Sequence, residues 1–241
     1  FPSHGLEVVA RHLERSRYRG VDTPTIISVS GVTPGEILRC HERLEPLCDG
    51  IEVNISSPNT AGLRVFQEPD GLDDLLGQLE GQRRKPLFVK LPPFGPYDPG
   101  VQAAPDREAS EPQPPPALAT EQVLALARAC VRRGVDALTV ANSRPTRDPR
   151  LSTGVGGLSG KMVFSDTLRM VAEVRSEVGD AIAINACGGI FSGEDAWRAL
   201  QAGATTVQLL TGLIYRGPGV VRRVNHELLA CMAREQPTPS P

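Results

Sequence analysis

The run NISSPNT at residues 54–60 leaves an apolar stretch and meets a turn. Asn side chains both donate and accept hydrogen bonds, so a pair of them suits a planar ligand with carbonyl and N–H edges. A serine beside them can act as a base or nucleophile if its hydroxyl is activated. Composition alone favours a plainer reading, a strand exit rich in turn residues. Lys90 ends the apolar run LFVK and is one of three lysines in the chain. Such a lysine can bring a point charge into a pocket or snorkel to the surface, and its type leaves the two even. Asn142 and Ser143 repeat the pattern after ALTVA, where a helix cap or turn is the plainer alternative.

Two glycine-rich stretches follow, GVGGLSG at 154–160 and CGGIFSG at 187–193, and Thr211 and Gly212 close the last apolar run. Glycines let backbone N–H groups approach an anion, and a helix N-terminus adds a favourable dipole. One glycine pair is weak evidence, but two successive strand ends of this kind point to a phosphate. His4, His12, His41 and His226 lack metal-ligand spacing and read as surface or packing residues, so no metal site is expected. Cys187 reads as a small buried side chain.

The elements that must carry these residues alternate. Strands are expected over residues 25–30, 51–55, 87–91, 137–141, 181–186 and 205–210, as nearly continuous apolar runs covered on both faces. Helical periodicity marks 5–15, 34–44, 72–79, 120–133, 165–178, 193–202 and 220–232. Gly134, Gly179 and Gly203 stand where three of these helices need a left-handed cap. Strand then helix, six times over, means α/β with parallel strands, as a barrel or a doubly wound sheet. Every polar cluster follows a strand, which is where the mouth of a (β/α)8 TIM barrel gathers its functional groups. Six strands make such a barrel incomplete. The expectation is one domain over residues 1–235, with the missing strands before Phe1. A Pro-rich insertion without fixed structure is expected at 96–117, and a disordered tail at 236–241.

Composition excludes several classes. Hydrophobic residues make 40% of the 241, enough for a sizeable core. With 26 basic against 28 acidic residues the net charge is -2, which argues against a nucleic-acid binder or a polybasic membrane patch. Aromatic residues, at 4%, do not supply a stacking platform for single strands. No apolar run approaches the roughly 18 residues of a membrane span. Five cysteines without a C-x-x-C pair suggest neither a disulfide framework nor zinc.

In order, NISSPNTAGLR (54–64), FVKLPP (88–93), TVANS (139–143), GGLSGK (156–161), CGGIFSGEDA (187–196) and GATTVQLLTGLIYRGP (203–218) resemble the dihydroorotate dehydrogenase family. The resemblance spans nearly the whole chain except 96–117. It implies a (β/α)8 barrel with FMN at its mouth and oxidation of dihydroorotate to orotate in pyrimidine (UMP) biosynthesis. Ser57 matches the base that takes the C5 proton while hydride leaves C6 for the flavin. Asn54, Asn59, Asn142 and Ser143 match substrate contacts, and Phe1 would end a substrate-contacting loop. Lys90 matches the flavin-contacting lysine. Asn54, Ala141, Gly160, Gly189, Leu210 and Thr211 match further flavin contacts, the last three near the phosphate. A serine base resembles the quinone-linked class, which implies quinone as electron acceptor. It also implies a cytoplasmic protein that touches the inner face of the cell membrane only through a segment before Phe1.

This sequence departs from the family pattern in places. Ser143 and Ala141 stand where threonines are usual, and Leu210 where tyrosine is common. KLPP is closer to the soluble class, so it disagrees with Ser57 as a class marker. Phe1 opens the chain without Met, and the expectation is a fragment that alone binds FMN poorly. Three rivals remain. The first is a flavin reductase of another pyrimidine, like a dihydropyrimidine dehydrogenase domain, where cysteine would replace Ser57. The others are a non-redox phosphate-binding barrel and a non-catalytic remnant.

Overall fold

The computed structural model describes residues 4–15, 23–56, 61–96 and 117–235. In chain order the strands are β1 (Ile26–Val29), β2 (Gly50–Asn54), β3 (Leu87–Lys90), β4 (Ala137–Val140), β5 (Arg144–Arg147), β6 (Val155–Leu158), β7 (Ala183–Cys187) and β8 (Thr206–Gln208). The helices are α1 (Leu6–Arg15), α2 (Pro34–Leu44), α3 (Pro69–Glu80), α4 (Thr120–Arg132), α5 (Phe164–Val178), α6 (Gly193–Gln201), α7 (Thr211–Arg216) and α8 (Val220–Glu235). Ser57, Asn59, Phe1, nearly all of the 96–117 insertion and the 236–241 tail lie outside the described residues.

Local chemistry explains the helix ends. Thr33 caps α2 in a reciprocal capping box with Glu36, and Pro34 opens the first turn. Ser192 and Asp195 do the same for α6. Gly134, Gly179 and Gly203 all have positive φ, as their places after α4, α5 and α6 suggested.

Six strands form one parallel sheet in the order β1-β2-β3-β4-β7-β8. Doubly wound sheets reverse their strand order at a switch point. This sheet never reverses, and consecutive helices α1 to α6 pack as neighbours around it. The arrangement is an incomplete (β/α)8 barrel, with β1 and β8 as its edges among the described residues. The apolar core lies between strands and helices: Val53, Val89, Leu138 and Ile184 pack with Leu75 of α3 and Val171 of α5 in one cluster.

The register shows what the inner of the two strand faces carries. Ser28 pairs with Glu52, Asn54 with Lys90, Lys90 with Thr139, Thr139 with Asn185, and Asn185 with Thr206. Paired residues share a face, so the inward face is polar toward the strand ends, while Phe88, Ala137 and Ala183 form an apolar row below. Those polar groups satisfy one another. Ser28 Oγ donates to Glu52 Oε1 (2.8 Å), and Thr139 Oγ1 donates to Glu52 Oε2 (2.6 Å). Thr206 Oγ1 donates to Asn185 Oδ1. This mutual bonding is what allows a carboxylate to sit inside the barrel wall.

Two strands and one α-helix of the described residues are absent from the sequence reading. The strands β5 and β6 form a separate antiparallel hairpin. Their sequences, RPTR and VGGL, carry no apolar alternation. The third, α7, is only 6 residues long and too short to show a period. Side chains hold the hairpin in place. Arg144 of β5 is buried and grips Asp166 of α5 with two nitrogens, at 2.5 and 2.8 Å. The same guanidinium donates to the carbonyls of Phe94 and Gly95, just after β3. Beside it, Gly95 N donates to Leu118 O (3.0 Å).

Removing one member of a buried, bidentate ion pair leaves the other charge without its partner. Asp166→Ala is therefore expected to lower the unfolding free energy by about 3 kcal/mol or more. Urea denaturation followed by circular dichroism measures it, and a loss below about 1 kcal/mol would contradict this role for the pair.

Candidate functional site

The strand ends bring one group of side chains together. Asn54 ends β2 and lies in register with Lys90, the last residue of β3. Asn142 follows β4 by two residues. Its Nδ2 donates to Ser56 Oγ (2.7 Å), and Ser56 Oγ donates to Asn54 Oδ1 (2.5 Å). Two amides from different strands are thus held in fixed orientation by one buried hydroxyl. The sequence reading did not single out Ser56. Its signal is the doubled serine of NISS, but only the fold shows that the Ser56 hydroxyl bridges two amides. Ser143 N donates to Asn142 Oδ1 (2.8 Å), which orients that amide a second time.

Lys90 reaches across the inner face toward β7, where its Nζ lies 3.9 Å from Cys187 Sγ. Cys187 is partly exposed, more open than the sequence reading expected. Burial pushes its thiol pKa up, the Lys90 charge pulls it down, and the Glu52 carboxylate raises it again. The three groups therefore share one electrostatic neighbourhood. Ala141 is buried after β4.

A second group surrounds the glycine turns. Ser159, Gly160, Phe191, Leu210 and Thr211 line a cleft of about 630 Å³, and Thr211 Oγ1 donates to Ser159 Oγ (3.3 Å). Gly160 has φ +85, and a Cβ there would meet Thr211 Cγ2 at 3.2 Å. Gly189 is packed harder: with φ +73, its Cβ would fall 2.6 to 2.8 Å from Phe164 atoms. Asp195 ties this region together. Its carboxylate accepts from the N–H groups of Phe191 and Ser192 and pairs with Lys161. Against the penalty of burial, these partners hold its carboxyl below the usual carboxylate range.

The expected residues therefore fall into two sets. Asn54, Lys90, Asn142 and Ser143 gather at the strand ends, while Gly160, Leu210 and Thr211 line the cleft and Gly189 packs against Phe164. Leu210 is exposed. Of the histidines, His41 is buried against Glu45 (3.4 Å), and burial lowers its pKa. It packs at the end of α2, away from the strand ends. No cluster of three metal-ligating side chains occurs among the described residues. None of their helices is long and apolar enough to cross a membrane.

Gly189→Ala should destabilise the chain by more than about 1 kcal/mol, because it forces positive φ on a Cβ and presses it into Phe164. A thermal melt checks this, and an unchanged midpoint would mean that the turn relaxes freely.

A family model described as dihydroorotate dehydrogenase matches residues 1–109 and 115–232. The chain is 36% identical over 248 residues to dihydroorotate dehydrogenase (quinone) of Burkholderia multivorans, covering 98% of this chain and 66% of that protein. The same identity holds over 233 residues with the protein of that name from Burkholderia pseudomallei, covering 92% and 63%. The chain thus spans just under two thirds of the length of these curated relatives. Two crystal structures of DHODH from Eimeria tenella are also similar. The ferulenol complex has a TM-score of 0.74 at 28% identity, with coverage of 97% and 66%. The ligand-free form has a TM-score of 0.76 at 27% identity, with coverage of 98% and 69%.

Proposed function

The chain belongs to the dihydroorotate dehydrogenase family, and on that premise we propose that it forms the catalytic mouth of an FMN-dependent enzyme oxidising dihydroorotate to orotate, with quinone as the electron acceptor. The observation that carries the reading is the Asn54–Ser56–Asn142 relay beside Lys90 at adjacent strand ends.

The residues present fit the cofactor on two counts. Gly160 lines the cleft, and an added Cβ there would meet Thr211 Cγ2 at 3.2 Å, so the turn presents bare backbone at that point, as a phosphate cradle needs. Lys90 brings a cation to the inner face, the charge that a flavin ring gaining negative charge would call for. Gly160, Gly189, Leu210 and Thr211 would hold the phosphate end, and Asn54, Lys90 and Ala141 the ring. When bound, FMN supplies the two-electron acceptor for hydride from substrate C6.

The chain's own part is binding, orientation and one proton. Asn54 and Asn142 present amide edges to the planar substrate, and the Ser56 hydroxyl fixes which edge each presents. Asn59, Ser143 and Phe1 would complete the contacts. Ser57 is the base for the C5 proton, a role in which a serine acts only if its hydroxyl is activated. Lys90 stabilises developing negative charge in a water-poor pocket.

A visible spectrum after FMN addition and desalting, then anaerobic dihydroorotate, tests the reading. Retained flavin that bleaches supports it, and retained flavin that dihydroorotate leaves oxidised contradicts it. Ser57→Ala should slow bleaching about 100- to 10,000-fold while leaving FMN affinity nearly unchanged. Equal loss of both would make Ser57 structural.

A further inference from the structure

The inner face carries a charge that the proposed chemistry leaves unused. Glu52 lies on β2 two residues before Asn54, with its carboxylate among strands β1, β2 and β4. It is 6% exposed, yet no basic side chain pairs with it among the described residues. Its two oxygens are held by neutral hydroxyls, Ser28 at 2.8 Å and Thr139 at 2.6 Å. Neutral donors satisfy the lone pairs but leave the negative charge uncompensated. The nearest cation on the same face is Lys90. In the register it stands opposite Asn54, one inward position further along than Glu52. Two residues of strand rise separate these positions, roughly 7 Å. Cys187 feels both charges, since Lys90 lowers its thiol pKa and Glu52 raises it.

We propose that Glu52 is the counter-charge to Lys90, held one layer beneath the cofactor site to moderate the positive field at the flavin ring. The assignment rests on the functional reading above. Lys90 alone would favour the reduced, negatively charged flavin over the oxidised, neutral one. A fixed carboxylate beneath it opposes that preference and lowers the flavin's reduction potential. At an effective dielectric constant of about 20, a unit charge roughly 10 Å away shifts such an equilibrium about tenfold. The hydroxyl clamp serves this role because it keeps the carboxylate in place without neutralising it, as an arginine partner would.

Glu52→Gln tests the assignment, since it removes the charge and keeps the shape, and either hydroxyl can turn to satisfy the new amide. FMN bound to this variant should favour its reduced form about tenfold more than in the unaltered chain, a rise of about 30 mV in midpoint potential. Glu52→Asp keeps the charge and should stay near the unaltered value, which separates charge from packing. A second measurement needs no flavin. Iodoacetamide labelling of Cys187, followed by peptide mass spectrometry, should be several-fold faster in Glu52→Gln and slower in Lys90→Met. Flavin retained with the same midpoint in Glu52→Gln, or Cys187 labelling unchanged by either substitution, overturns the counter-charge. Retained FMN that dihydroorotate leaves oxidised overturns the functional reading instead, and where no FMN is retained the Cys187 labelling decides alone.

Discussion

The parallel register of the six-stranded sheet is the constraint on which everything else depends. A strand shows alternate residues to opposite faces, so the pairing of Asn54 with Lys90 and of Lys90 with Thr139 decides what faces inward. A slip of one residue would turn Val53 and Val89 into the interior and send Glu52 and Lys90 into the apolar layer beneath the helices. The apolar side enforces the register, because Val53, Val89, Leu138 and Ile184 are buried completely against that layer. The functional groups do not hold themselves in place. Burial of their strand neighbours does it.

The inward face needs its own solution, because polar groups removed from water must find partners. Ser28, Glu52 and Thr139 bond across three strands, and Asn185 and Thr206 across two more. Many barrels fill this volume with branched apolar side chains. Here hydroxyls, an amide and a carboxylate take that place, so the layer beneath the mouth carries charge and orientation as well as packing. The same economy of donors recurs at the mouth, where Ser56 serves Asn54 and Asn142 at once.

A second brace works from outside the sheet. The hairpin of β5 and β6 follows directly from β4 and the three residues that end in Ser143. Arg144 pins its start to Asp166 and to the carbonyls after β3. Gly157 fits closely over Ser143: a Cβ there would lie 2.5 Å from Ser143 Oγ. The buried ion pair and this missing side chain together set how near the hairpin comes to the strand ends. On the far side, the Ser192 and Asp195 capping box with Lys161 does the same for the glycine turn before α6.

Much of this was legible in the residues. The six parallel strands, most of the helices and their glycine caps follow from local apolar period and turn chemistry, which act over a few residues. The order of the motifs resembled one family strongly enough to indicate the barrel, and the strand-end residues Asn54, Lys90 and Asn142 were marked by their types. The polar groups of the inner face were not assigned to a side, because runs as short as IEVN and LFVK do not show which side each residue takes until a neighbouring strand pairs with them. Nor was the hairpin read, since RPTR and VGGL are held by a buried arginine rather than by any pattern of their own. Local sequence determined which segments become strands and helices. Contacts between segments far apart in the chain decided which side chains meet, because register, burial and charge pairing exist only once those segments are packed together.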